Sequence, residues 1–286
     1  MTIQILRWLG RLPLAWLHRL GAALGWLVYW SSPTYARRLR ENLFASGLCA
    51  DEVQCRRLLH EAIAETGKGA AELLAVWFGP AATTEGLVVE CEGWEAVDAA
   101  RARGKGMIFL TPHLGCFEVV GLYIGERVPL TVLYRPPRHR WLEPYMAAGR
   151  SRAHAQLAPT TLRGVRMLYR ALSRGEAVGV LPDQAPGEGE GVWADFFGRP
   201  AYTMTLVRRL LEASGAAGIM IFAQRLPQGR GYRIHAQALP TEHLDETTLN
   251  RAIEDQVRRC PAQYLWGYNR YKVPARATPP PPKGEG

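Results

Sequence analysis

The chain has 286 residues, a formal net charge of +9 and 48% hydrophobic residues, including nine tryptophans. That is ample apolar material for one large domain. Only Lys68, Lys105, Lys272 and Lys283 among its 35 basic residues are lysines, an arginine bias that suits phosphate or carboxylate partners; with no long basic run or nucleic-acid fold pattern, nucleic acid is excluded as a partner.

In chain order, residues 3–30 form the strongest local pattern. At ~100° per residue, Gln4, Arg7, Arg11 and His18 share a stripe that Ala22, Gly25 and Tyr29 continue, while leucines and tryptophans cover the rest. The longest charge-free apolar stretch, Leu20 to Trp30, is too short for a bilayer core of ~30 Å. An in-plane or steeply inserted anchor is therefore expected, kinked at Pro13. The alternative is an amphipathic helix covering the protein's own core. His18-Arg19 interrupts the apolar region, and no small-residue cleavage site follows, which disfavours a signal peptide.

Residues 35–43 are a basic helical segment, and residues 51–78 are helical up to Gly79-Pro80. Strands then alternate with helices: strands at 87–91, 107–111, 130–134, 177–181, 218–224 and 232–238, helices at 94–103, 117–127, 138–150, 161–173, 203–213 and 246–260. This predicts an α/β fold, a largely parallel mixed sheet flanked by helices, with catalytic groups at carboxyl ends of strands. The organisation is a membrane anchor at 1–35, a catalytic domain at 36–273 and a Pro-rich extended tail at 274–286.

The five cysteines, at 49, 55, 91, 116 and 260, form no C-x2-C pair and are odd in number. No metal cluster or disulfide framework is expected, and the site should face a reducing cytosol. Cys116 reads as a buried structural thiol.

The run MIFLTPHLGCFE, residues 107–118, carries the chemistry. Pro112 ends the strand, so His113 sits on the turn that follows and Glu118 lies in the first turns of the next helix, pointing back at the imidazole. A carboxylate that fixes the tautomer of a histidine makes it a competent general base. The bland alternative is a turn-capping histidine beside a solvated glutamate.

TPHLGCFE (111–118), LYRP (133–136), GRSR (149–152), LRGVRML (162–168), GVLPDQ (179–184), DFFGRPAYT (195–203) and PAQYLWGYNRYK (261–272) together resemble the bacterial lipid A biosynthesis acyltransferases. H-x4-E alone is shared with glycerolipid acyltransferases; PDQ, FFGRPA and the terminal block are more specific. The resemblance implies a glycerolipid acyltransferase-like fold and direct transfer of an acyl chain from acyl carrier protein to a hydroxyl of a phosphorylated glycolipid, a Kdo-lipid IVA type lipid A precursor. It implies no cofactor, and a place on the cytoplasmic side of the bacterial inner membrane, against an anionic surface. No G-x-S-x-G elbow suggests an acyl-enzyme.

His113 and Glu118 are the expected catalytic pair. Arg150 matches an essential arginine of the family, and Asp183 is a second catalytic carboxylate expected to order Arg150 or the acceptor sugar. Arg135, Arg152, Arg163, Arg166 and Gln184 are candidate substrate contacts; Arg163 and Arg166, at i and i+3, share a helix face that a phosphate could bridge. Trp193, Phe196 and Phe197 line an acyl channel or pack in the core. Competing readings are transfer to a lysolipid or ornithine lipid, disfavoured by the lack of a Pro-E-G-T-R block, and a nonenzymatic lipid-binding membrane protein, which would need neither His113 nor Glu118.

Overall fold

The computed structural model describes residues 2–80, 86–135, 143–150, 155–240 and 244–275. Its centre is a seven-stranded sheet built from β1 (Val88–Glu92), β2 (Met107–Leu110), β3 (Leu130–Tyr134), β4 (Gln156–Pro159), β5 (Ala177–Val180), β8 (Ala217–Arg225) and β9 (Tyr232–Ala238). The spatial order is β1-β9-β8-β2-β5-β3-β4, and only the β8–β9 pair is antiparallel. A separate antiparallel hairpin joins β6 (Gly191–Phe196) to β7 (Arg199–Met204). The largely parallel sheet agrees with the strand–helix alternation.

Parallel strands covered on both faces must be apolar throughout, and β2 and β5 are buried at every position. Successive side chains split between two cores. Ile108, Leu110, Val178 and Val180 enter one, with α9 (Leu162–Ser173), α10 (Leu206–Ser214) and α11 (Glu246–Arg259). Met107, Phe109, Ala177 and Ile219 enter the other, with α5 (Leu73–Phe78), α6 (Glu95–Ala102) and α7 (Phe117–Gly125). The alternation is the period-two geometry of a strand.

The N-terminal segment breaks between α1 (Thr2–Leu9) and α2 (Leu14–Ser31), at the expected Pro13. Helix α2 packs along α4 (Glu52–Ala71), which follows α3 (Pro33–Phe44). Its small-residue stripe faces inward: Leu14, Leu17, His18, Gly21 and Gly25 are buried. Glycine is required at this crossing, because a Cβ on Gly67 of α4 would lie 2.0 Å from the Gly21 carbonyl oxygen. The opposite face of α2 is exposed and greasy, with Trp16 at 63% and Trp30 at 72% accessibility, and Trp8 of α1 is 65% exposed. Among the described residues no helix is long and apolar enough to cross a membrane.

Three elements depart from the sequence reading. The segment expected as one helix over 51–78 divides at Glu72, which is 1% exposed and satisfied by side chains described below. The edge strand β4 and the β6–β7 hairpin are short and carry prolines or glycines, so they lack a period-two signature. Cys49 and Cys55 form a disulfide with Cα atoms 5.3 Å apart, correcting the expectation that no cysteines are bridged. Asp51 caps α4 by accepting from Gln54 N–H, and that turn folds Cys49 back onto the first turn of the helix.

Candidate active site

The turn after β2 is fixed by backbone hydrogen bonds to three separate parts of the chain. Thr111 N–H continues the ladder to Val180, Gly115 N–H donates to Gln263, Cys116 N–H donates to Ala223, and the His113 carbonyl accepts from Leu265 N–H at 3.0 Å. Gly115 has φ +61, and a Cβ there would lie 1.9 Å from the Ala223 oxygen. Only glycine allows this crossing.

Asp183 leaves the carboxyl end of β5, the neighbour of β2. One of its oxygens lies 2.8 Å from His113 Nδ1, and the other accepts the His113 backbone N–H at 2.9 Å. One carboxylate thus grips both the ring and the main chain of one residue, which fixes the ring's orientation. Burial pushes the Asp183 carboxyl up, but the His113 contacts and the charge of Arg270 outweigh it and hold the group below the usual aspartate range. An anionic carboxylate only accepts, so Nδ1 carries the proton and the Nε2 lone pair points away. That lone pair receives the side-chain amide of Gln184 at 3.2 Å. The imidazole therefore stands in the tautomer of a general base, with a displaceable amide where an incoming hydroxyl would bind.

Aromatic rings complete the cradle. Tyr268 stacks parallel to His113, with centroids 6.3 Å apart and planes 7° apart, and Phe117 tilts over it at 5.0 Å. The Tyr268 hydroxyl accepts Ala185 N–H. Burial and the adjacent Asp183 charge keep the Tyr264 phenol well above its ordinary pKa. Arg270, 2% exposed, donates to the Tyr202 carbonyl, the Thr203 hydroxyl and the Asn250 side chain. The C-terminal segment is thus a strap behind the histidine. Asn42 of α3 clamps it by donating to the carbonyls of Trp266 and Tyr268.

Glu118 lies in the first turn of α7, as expected, where its charge suits the helix dipole. Its carboxylate accepts from the Trp77 indole N–H at 3.1 Å. The carboxylate on His113 Nδ1 is Asp183, where the sequence reading placed Glu118, because the β2–β5 pairing brings Asp183 level with the turn. Glu118 and Phe117 instead flank a narrow apolar slot of about 80 Å³ that runs under α7 past Leu130, Val132 and Leu157.

Among the other predicted residues, Gln184 joins His113, whereas Arg135 is exposed just beyond β3. Arg163 and Arg166 are exposed on α9, outside the residues lining the slot. Arg150 ends α8 (Glu143–Arg150), where its neighbour Gly149 abuts the Trp77 ring; the Arg150 side chain and all of Arg152 lie outside the described residues, so the expected link from Asp183 to Arg150 does too. Phe196 and Phe197 are buried in the core and do not line the slot. Cys116 is buried, and burial followed by the Glu72 charge pushes its thiol well up, which suits a structural residue. Trp77, Tyr264, Tyr268 and Arg270 were not singled out by sequence. The last three sit in the block PAQYLWGYNRYK, whose concentration of aromatics was the available signal.

A carboxylate-held imidazole thus stands at the carboxyl edge of a parallel sheet, on a turn whose flanking residues Thr111 and Phe117 line an apolar slot, an arrangement able to take a proton from a hydroxyl. The family model for bacterial lipid A biosynthesis acyltransferases matches residues 1–273, and the chain belongs to that family. It is 28% identical to a lipid A biosynthesis lauroyltransferase of Escherichia coli K12, over 96% of this chain and 94% of the relative. It is likewise 28% identical to the lipid A biosynthesis palmitoleoyltransferase of the same strain, over 84% of this chain and 75% of the relative. The protein is an acyltransferase.

Proposed function

We propose that the protein transfers a fatty acyl group from acyl carrier protein to a hydroxyl of a phosphorylated lipid A precursor of the Kdo-lipid IVA type. His113 Nε2 removes the hydroxyl proton as the oxygen attacks the thioester carbonyl; the carbon–sulfur bond then breaks, and the thiolate leaves with the proton from the imidazolium. Asp183 holds the ring and stabilises its charged form. Gln184 yields its place on Nε2 to the acceptor hydroxyl. The slot beside Phe117 and Glu118 receives the acyl chain, with Glu118 as a second carboxylate at its mouth. Arg135, Arg150 and Arg152 are the candidate contacts for acceptor phosphates or the oxyanion.

The reading also places the protein at the cytoplasmic face of the inner membrane. The exposed tryptophans and leucines of α1 and α2 suit the interface of a bilayer, with Arg7, Arg11 and Arg19 near anionic headgroups. The observation that carries the catalytic proposal is the Asp183–His113–Gln184 arrangement, on a turn whose flanking residues Thr111 and Phe117 line the slot. His113→Ala should lower the initial rate of transfer from acyl carrier protein to the lipid A precursor by roughly two to four orders of magnitude. Product formation is followed by mass spectrometry. A variant with near-normal turnover would remove His113 from the mechanism.

A further inference from the structure

Helix α9 packs its apolar side on β3, β4 and β5 and turns an uncompensated row of cations outward. Arg163, Arg166 and Arg170 fall within ~60° of one another around the axis. All three are exposed, no acidic residue occurs in α9, and none of the three makes an ion pair among the described residues. Other surface arginines nearby are neutralised: Arg174 pairs with Glu176, and Arg208 with Glu212 and Glu246. Arg209 of α10, whose carbonyl accepts the Tyr169 hydroxyl of α9, extends the positive face. At the helix's N-terminal end, Leu162 is 78% exposed. A row of arginines with no acidic partner among the described residues, ending in an exposed leucine, matches a partner with an acidic surface around an apolar point.

The position of the row selects the partner. Helix α9 starts at the carboxyl end of β4, on the same rim as His113 after β2 and Arg135 after β3. The order β2-β5-β3-β4 separates Leu162 from the catalytic turn by three strand spacings, ~14 Å. The core beneath α9 also takes Trp26 and Tyr29 of α2, whereas Leu14 and Leu17 enter the core on the other sheet face. We infer that Arg163, Arg166, Arg170, Arg209 and Leu162 form the docking surface for the acidic carrier protein that brings the acyl thioester, a step that rests on the donor assignment above. The row steers and seats the carrier, and a flexible thioester arm crosses the rim to His113.

The test compares two donors bearing the same acyl group, one on acyl carrier protein and one on pantetheine, using full-length protein in nanodiscs of anionic lipid. R163E/R166E/R170E should raise KM for the carrier donor by about tenfold or more, weaken direct carrier binding to the same extent, and leave kcat/KM for the pantetheine donor within about twofold. The neutral triple variant R163Q/R166Q/R170Q should fall between it and wild type, and added salt should weaken carrier use by wild type more than by either variant. Unchanged carrier binding and KM would overturn the docking surface. So would equal losses on both donors, which would give the row to the acceptor, or a loss confined to anionic-vesicle binding, which would give it to the membrane. A wild-type protein that uses pantetheine thioester and neither binds nor uses the carrier would instead defeat the donor assignment.

Discussion

His113 was legible in the sequence because a strand, a proline and a histidine in that order place an imidazole at the edge of a sheet. Its partner was not. Asp183 lies 70 residues away, and Glu118, only five away, was the nearer carboxylate; spacing along the chain carries no information about which strands become neighbours. Once β5 sits beside β2, the residue three positions beyond Val180 meets the turn. The two carboxylates can be separated by experiment. Asp183→Asn removes the anion from Nδ1 and should lower the transfer rate by roughly two to four orders of magnitude. Glu118→Gln keeps an acceptor for the Trp77 indole and should cost less. Initial rates with a saturating acyl donor decide it: a nearly normal Asp183→Asn beside a crippled Glu118→Gln would return the orienting role to Glu118.

At the scale of elements, the stripe on residues 3–30 was legible but its direction was not. Periodicity groups His18 with Ala22, Gly25 and Tyr29, and only the facing helix shows that the packed side holds His18 and Gly25 together with Gly21. Glu72, at the break between α4 and α5, completes this junction. It accepts from Arg225, the Tyr232 hydroxyl and His18 Nε2, and Arg225 also donates to Glu65 and to the Gly115 carbonyl of the turn that carries His113. Burial raises the Glu72 carboxyl, but the Arg225 charge and hydrogen bonds prevail and lower it from 4.5 to about 2. A depressed folded-state pKa stabilises the fold above the unfolded value, and the contribution, on the order of 3 kcal/mol, disappears as pH falls from about 4.5 through about 2. Glu72→Gln leaves the Arg225 charge buried with only Glu65 as a carboxylate partner and should cost about 3–5 kcal/mol at neutral pH. The variant should also lose less stability than wild type across that acidic window. Denaturant midpoints at both pH values measure this, and coincident midpoints for the two proteins would show that the junction contributes nothing.

For the whole molecule, α2 belongs to both the outer surface and the core. Leu17 is 1% exposed while Trp16, its neighbour, is 63% exposed. Residues 1–35 therefore are not built like a tether that can be cut away, since removing α2 would uncover α4 and strip His18 from Glu72. The membrane prediction is best tested by point changes on the outer face alone. Trp8→Gln, Trp16→Gln and Trp30→Gln together should leave the thermal midpoint within a few degrees and lower partitioning onto anionic vesicles by at least about tenfold. Full retention on vesicles in a flotation assay would show that another face holds the bilayer.

The strap behind His113 has a consequence for how the protein comes into being. Synthesis runs from the N-terminus, so β2, α7 and β5 leave the ribosome long before Gln263 and Leu265, the residues that bond to Gly115 and His113. The nascent chain can complete most of its sheet while the histidine turn still lacks one wall, and a message cut short before this block yields a protein with the catalytic residues present but unbraced.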